Sequence, residues 1–145
     1  MASKRQIFVG GVPIGGGAPV AVQTMTKTET ANLDATMEQI DKVAEAGADL
    51  VRVAVPRDED AVALRTIVER SPIPVIADIH FNASLALKAI DAGVQAVRIN
   101  PGNIGGEDKV AQVAARVFGL PDAAVLDAAV AGAAATGPVA RSVFT

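Results

Sequence analysis

Residues 76–82 read IADIHFN and contain the single histidine of the chain. An apolar run leads into Asp78 and His80, which are two positions apart and therefore share one face of an extended strand. An acid and an imidazole at a strand end contribute little to a hydrophobic core. They are well suited to orienting a cation or moving a proton, so this segment is a candidate site.

Two other strand-like segments carry arginine and asparagine near their ends. LVRVAV contains Arg52, AVRINP contains Arg98 and Asn100, and Asn103 follows in a loop bounded by glycine. The carboxyl ends of parallel strands meet at one edge of a sheet, where ligands bind. Arginine offers a planar fork of donors that suits phosphate, and backbone N–H groups before a helix also favour anions. The predicted anion-binding residues are Arg52, Asp78, His80, Arg98, Asn100 and Asn103.

Each of these residues also has an ordinary structural explanation. Arginines at strand ends form ion pairs, a lone histidine is often a satisfied structural group, and Asn, Pro and Gly are typical of turns. The location of all of them at the same end of consecutive strands favours a site. Asp78 is expected to hold an arginine or to orient His80, and these two residues are the candidates for a catalytic role.

The elements that must position these side chains begin with a turn signal. Residues 6–15 predict two short strands joined at Gly10-Gly11, and residues 20–25 predict a third strand. Three helix–strand units follow, and a fourth helix starts at about residue 107. The predicted strands of these units are 50–55, 72–79 and 96–101.

An internal repeat supports this order of elements. Residues 45–52 read EAGADLVR and residues 91–98 read DAGVQAVR. Strands of nearly continuous Val and Ile are typical of a parallel sheet that is covered on both faces. The sequence therefore predicts an α/β fold, a parallel (β/α) barrel that comprises about the first half of a TIM barrel after a short N-terminal β-hairpin. Residues 1–116 form this unit, and residues 117–145 form an atypical Ala-rich tail.

The composition excludes several classes of function. The formal net charge of −3 gives no reason to expect nucleic acid or an anionic membrane as a partner. The absence of cysteine excludes disulfides and cysteine-ligated clusters within this chain. Its start is too polar for a signal peptide, and no stretch is apolar enough to span a bilayer of about 30 Å. A cytoplasmic protein is the expectation.

Four segments in order and spacing carry a more specific signal. VGGVPIGGGAPVAVQTMTKTET, GADLVRVAVP, IPVIADIHFN and VRINPGNIG resemble the family of 4-hydroxy-3-methylbut-2-en-1-yl diphosphate synthase over about residues 5–115. The resemblance implies a (β/α)8 barrel that binds 2-C-methyl-D-erythritol 2,4-cyclodiphosphate. It also implies a separate domain that holds a [4Fe–4S] cluster through three cysteines and a glutamate. The implied reaction is the reductive opening of the cyclic diphosphate to 4-hydroxy-3-methylbut-2-enyl diphosphate, in the methylerythritol phosphate pathway of isoprenoid biosynthesis.

The same resemblance implies partners and residue roles. Flavodoxin or ferredoxin would supply the electrons, and the full-length family would form homodimers. Arg52 and Arg98 would bind the cyclic diphosphate, and Asn100 and Asn103 would donate hydrogen bonds to it. The remaining pair, Asp78 and His80, would contact the polar face of the substrate or support proton movement.

The chain departs from the family after its fourth helix. The later barrel strands and the whole cluster domain are missing, and the bias of residues 117–145 resembles out-of-frame translation of a GC-rich gene. We therefore expect a substrate-binding fragment that has no cofactor of its own and is inactive by itself. Two alternatives stay open: a non-catalytic half barrel that binds phosphate or another chain, and a phosphate-handling barrel related to pterin synthases. The pair ADIHF and RINPGNIG argues against the pterin alternative.

Overall fold

A sheet with helices on one side dominates the computed structural model, which describes residues 4–118. The predicted tail therefore lies outside the described residues, apart from its first two positions. Six strands and four helices follow one another along the described chain. They are β1 (Gln6–Val9), β2 (Val12–Gly15), β3 (Gln23–Met25), α1 (Leu33–Glu45), β4 (Leu50–Ala54), α2 (Asp58–Arg70), β5 (Val75–Ile79), α3 (Ala83–Asp91), β6 (Ala96–Ile99) and α4 (Glu107–Phe118).

The topology confirms the predicted half barrel. Strands β3, β4, β5 and β6 form one parallel sheet in chain order, and β1 pairs with β2 in an antiparallel hairpin. Each parallel connection passes through a helix, as it does in a barrel that needs eight such strands to close. None of the helices in the described part combines the length and the apolar character that crossing a membrane requires.

All four parallel strands are shorter than the sequence predicts, two of them at their amino ends. The strand predicted at 72–79 begins only at Val75, because Pro72 and Pro74 lack the N–H group that a ladder needs. The strand predicted at 20–25 begins only at Gln23. At the other ends, β5 stops before His80 and β6 stops before Asn100, so both side chains lie just beyond the sheet.

The helix-facing side of the sheet forms the main hydrophobic core. Alternate strand residues point to this side and are buried against aliphatic side chains from all four helices. The burial of these side chains is the main stabilising contribution of the fold. The strand residues concerned are Val51, Val53, Val75, Ala77, Ile79, Val97 and Ile99.

The opposite face of the sheet is apolar at its amino end, where the hairpin covers it. Val9 of β1 packs against Leu50, Ile76 and Ala96, which belong to three neighbouring strands. Each of these three lies two residues before Arg52, Asp78 or Arg98 on the same face. The hairpin therefore supports the layer directly beneath the candidate site residues.

The sequence repeat corresponds to repeated hydrogen bonds. Helices α1 and α3 both end before a glycine with φ of 96°, Gly47 and Gly93. Two residues later, the side chain of Asp49 accepts a hydrogen bond from the N–H of Val22 (2.7 Å). Gln95 Oε1 in the second copy accepts one from the N–H of Val75 (2.8 Å). Each repeat thus fixes the start of the preceding strand.

The hairpin turn gives the first testable prediction. Gly10 has φ of +58°, and a Cβ atom there would lie 2.8 Å from Cγ of Pro74. Alanine would suffer both the left-handed backbone penalty and a clash with a rigid ring. We expect Gly10→Ala to lower the free energy of unfolding by about 2 kcal/mol, measured by urea denaturation.

Gly11 provides a matched control in the same turn. Its φ is not positive, and a Cβ atom there would meet nothing within 4 Å. We expect Gly11→Ala to change stability by less than about 0.5 kcal/mol. Equal losses for the two variants would show that the hairpin does not dock as described.

Candidate anion-binding site

Asp78 lies at the centre of a cluster of cationic groups. Its Oδ1 accepts a hydrogen bond from Nη1 of Arg98 at 3.0 Å, and its Oδ2 lies 3.3 Å from Nε of Arg52. Nε2 of His80 is 3.7 Å from the same Oδ2. The structure therefore brings together the four residues that the sequence predicts at the ends of β4, β5 and β6.

Strand register explains this convergence. Asp78 is directly paired with Arg98 of β6 on one side and with Ala54 of β4 on the other. Arg52 is two residue pairs nearer the amino end, opposite Ile76. Because all these residues point to the same face of the sheet, the long arginine side chain reaches the carboxylate of the next layer.

Burial differs sharply between the acid and its cations. The Asp78 side chain is 2% exposed, whereas those of Arg52 and Arg98 are 28% and 29% exposed. A carboxylate with so little water needs charged partners or hydrogen-bond donors to stabilise it. More than a quarter of each arginine side chain remains exposed to solvent.

Arg52 is incompletely satisfied. Its Nε–H is not aligned with Asp78 for a hydrogen bond, and within residues 4–118 this buried donor has no hydrogen-bond partner. Its Nη2 lies 3.6 Å from Sδ of Met25, a weak acceptor. The main-chain carbonyl of Arg52 accepts a hydrogen bond from the N–H of Thr26, which ties the end of β3 to β4. Because Nε of Arg52 is buried, ligand contacts of this residue are expected from its Nη groups.

His80 and Phe81 lie at the edge of the cluster. The imidazole is about half exposed, and its ring centroid lies 5.9 Å from that of Phe81, which is largely exposed. Asn82 then begins α3 by accepting a hydrogen bond from the N–H of Ser84. His80 can therefore touch both Asp78 and a solvent-side ligand.

The two predicted asparagines have different surroundings. Asn100 is exposed, and its Oδ1 accepts a hydrogen bond from the N–H of Gly102 at 3.1 Å. Its carbonyl accepts the N–H groups of Asn103 and Ile104. These contacts build the turn before α4. No described contact joins Asn100 or Asn103 to the arginines, so their predicted binding role stays a prediction.

Asp60 is a buried structural acid that the sequence prediction did not single out. It is fully buried in the first turn of α2 and accepts the N–H of Ala31 at 2.9 Å and Nε of Arg57 at 3.3 Å. The hydrogen bond to Asp60, and then the charge of Glu59, raise the pKa of Arg57. Asp60 thereby holds the loop after β3 against α2. The sequence signal that could have indicated Asp60 is the run of acidic residues at the start of α2. Negative charge at a helix N-terminus is stabilised by the helix dipole.

The described part of the chain offers no set of side chains that could bind a metal ion. Residues 4–118 contain no group of three or more His, Asp or Glu side chains that could hold a metal ion. The [4Fe–4S] cluster that the resemblance implies needs thiolate ligands, and the sequence contains no cysteine. The residues present therefore do not fit that cluster.

The cluster of Arg52, Asp78, His80 and Arg98 has the chemistry of an anion receptor. Two guanidinium charges and one carboxylate charge leave a positive balance at the carboxyl ends of parallel strands. Exposed guanidinium donors favour oxygen anions that accept two hydrogen bonds from one fork, such as phosphates.

Solved structures confirm the fold. Dihydropteroate synthase of Yersinia pestis superposes with a TM-score of 0.59 at 17% identity, over 82% of this chain and 45% of that chain. The enzyme of Xanthomonas albilineans gives a TM-score of 0.52 at 19% identity, over 74% of this chain and 46% of that chain. At such low identity the likeness concerns the fold alone.

Curated sequences are much more similar. A protein of Idiomarina loihiensis named 4-hydroxy-3-methylbut-2-en-1-yl diphosphate synthase (flavodoxin) is 54% identical over 81% of this chain. Proteins of the same name from Bifidobacterium longum and Persephonella marina are 59% and 53% identical over 74% and 75% of the chain. The chain spans only 32%, 27% and 31% of the length of these three relatives, respectively.

The family model described as the GcpE TIM-barrel domain matches residues 4–119. The match includes the hairpin, the four parallel strands and every residue of the candidate site. With the half barrel and its cationic cluster, it establishes that this chain belongs to the GcpE TIM-barrel family.

Proposed function

We propose that this chain is the substrate-binding part of a 4-hydroxy-3-methylbut-2-en-1-yl diphosphate synthase. The observation that carries the proposal is the convergence of Arg52 and Arg98 on Asp78 at the carboxyl ends of β4, β5 and β6. The ligand is 2-C-methyl-D-erythritol 2,4-cyclodiphosphate, whose charged oxygens match the exposed guanidinium donors.

The residues of the site bind and orient this ligand. Arg52 and Arg98 donate hydrogen bonds to the diphosphate, and the half-exposed His80 contacts its polar face or exchanges a proton with it. Asn100 and Asn103 complete the contacts from the loop before α4. Asn100 keeps its acceptor contact with Gly102 through Oδ1 and donates to the ligand through Nδ2.

The redox step lies outside this chain. Reductive ring opening needs two electrons, and the chain has no cysteine to hold the cluster that would deliver them. The rest of the full-length protein would supply that cluster, flavodoxin or ferredoxin would reduce it, and the holoenzyme would be a cytoplasmic homodimer. The 145-residue chain by itself binds the substrate without turning it over.

Calorimetry tests this proposal. The full chain is titrated with the cyclic diphosphate, and wild type is compared with Arg98→Ala. Loss of one charge-assisted fork costs about 1.5–3 kcal/mol. We therefore expect the dissociation constant to rise by about tenfold to a hundredfold.

Arg116→Ala is the matched control for charge and side-chain size. Arg116 is half exposed and pairs with Asp91 on the helical side of the fold. Its removal should leave the affinity unchanged. Equal heats for wild type and Arg98→Ala would remove Arg98 from the site. Affinity for inorganic phosphate equal to that for the cyclic diphosphate would favour the alternative of a general phosphate-binding half barrel.

A further inference from the structure

We propose that Asp78 is a positioning residue that orients the guanidinium groups of Arg52 and Arg98 toward a single diphosphate. The inference rests on the proposed function and adds to it the residue that prepares the site before the ligand arrives. Asp78 acts from the buried side, and the ligand binds on the exposed side of the same two arginines.

The first support is that the two oxygens of the Asp78 carboxylate contact different arginines. Oδ1 contacts Arg98 and Oδ2 contacts Arg52, at 3.0 Å and 3.3 Å. One rigid planar group therefore sets the positions of two long, flexible side chains from neighbouring strands. Without it, two like charges would separate, because each arginine has many rotamers and the pair repels.

The second support is the difference in burial between Asp78 and the two arginines. The carboxylate is almost completely buried, while more than a quarter of each arginine side chain faces solvent. A ligand can therefore approach the arginines without displacing Asp78. An acid that only balanced one charge in the core would need one cation, not two from opposite neighbouring strands.

The third support is the layer beneath the site. Ile76, two residues before Asp78, is buried against Val9 of the hairpin. The backbone that carries Asp78 is thus packed on the helix side and on the hairpin side. A carboxylate held this firmly can fix the orientation of its partners, as a preorganised site requires.

Asp78→Asn tests the inference with pyrophosphate as the probe. The variant keeps one acceptor oxygen but loses the charge that holds both forks. We expect the dissociation constant for pyrophosphate to rise about tenfold, although the local positive charge increases. Asp60→Asn is the matched control, because within residues 4–118 Asp60 is the other fully buried acid with an arginine partner and lies outside the cluster. It should leave pyrophosphate affinity unchanged.

The direction in which Asp78→Asn changes the affinity for pyrophosphate decides the inference. Tighter binding by Asp78→Asn would mean that the carboxylate competes with the ligand, which overturns the inference. Unchanged affinity in a folded variant would mean that Asp78 has a structural role only. If Asp78→Asn does not fold, Asp78→Glu keeps the charge and displaces the carboxylate by one methylene. Unchanged affinity of that variant would also overturn the inference.

A second measurement separates this inference from the proposed function. The Nε–H signals of Arg52 and Arg98 in ¹⁵N-labelled protein report side-chain order without any ligand. We expect the two Nε–H signals to be resolved from each other in wild type and in Asp60→Asn. In Asp78→Asn we expect them to collapse to one averaged position, as they do for freely moving arginine side chains. Collapse of the signals in Asp78→Asn, with no binding of the cyclic diphosphate by wild type, would retain the positioning role and refute the proposed function. Identical signals in wild type and Asp78→Asn would refute the positioning role itself.

Discussion

Replacement of Asp60 by alanine is expected to lower the free energy of unfolding by about 3 kcal/mol. The carboxylate is fully buried and accepts hydrogen bonds from the main chain of Ala31 and from Arg57. Its removal leaves the N–H of Ala31 without this acceptor and frees a guanidinium group at the start of α2. The loss should be measured by urea denaturation at neutral pH.

Asp60→Asn separates the hydrogen bond from the charge. The amide keeps an oxygen that can accept the N–H of Ala31, so we expect about half of the alanine effect. The same variant should bind ligand normally, because the cluster around Asp78 is intact. A fully stable Asp60→Ala variant would show that the loop after β3 does not depend on this contact.

Val9→Asp is the second substitution with a large expected effect. Val9 is 2% exposed and lies on Leu50, Ile76 and Ala96. An unpaired carboxylate in this apolar contact would cost about 3 kcal/mol or detach the hairpin from the sheet. Urea denaturation measures the first outcome, and faster proteolysis within residues 4–16 detects the second.

Phe8→Asp makes the same change one position earlier. Phe8 points away from the sheet and is 53% exposed. Its replacement should change stability by less than about 1 kcal/mol, even though a larger apolar side chain is lost. If Phe8→Asp were the more damaging variant, the hairpin would dock through its other face.

Much of this fold follows from local sequence signals. Alternating apolar runs and helical periods give the order of elements, and the Gly10-Gly11 pair gives the hairpin. The two-residue spacing of Asp78 and His80 gives their shared face. Convergence of Arg52 and Arg98 follows once the strands are parallel and adjacent, because equivalent positions of the repeat then flank β5.

Contacts between distant segments were not predictable in the same way. Nothing in residues 6–15 alone indicates that Val9 covers the amino end of the sheet. The burial of Asp60 depends on Ala31, which is 29 residues away, and the identity of the partner is not encoded near either residue. The strand starts at 20 and 72 were predicted too early because apolar residues such as Val20 and Ile73 precede the first residue that finds a ladder partner.

The contacts of Asp78 with Arg52 and Arg98 were predictable from the sequence only in part. The sequence places three charged residues at one sheet edge, and it suggests that Asp78 holds an arginine. It does not show that one carboxylate serves both arginines, since that depends on the stagger between neighbouring strands. The sequence does not distinguish two roles for Asn100, because an asparagine beside Pro and Gly suits a turn as well as a ligand contact.

The hydrogen bonds of Asp49 and Gln95 bear on how the chain assembles during synthesis. The N–H of Val22 finds its acceptor 27 residues downstream, and that of Val75 finds its acceptor 20 residues downstream. On the ribosome, the starts of β3 and β5 are therefore secured only after the following helix–strand unit has emerged. A nascent β3 or β5 therefore lacks this hydrogen bond for as long as the next strand is still being synthesised.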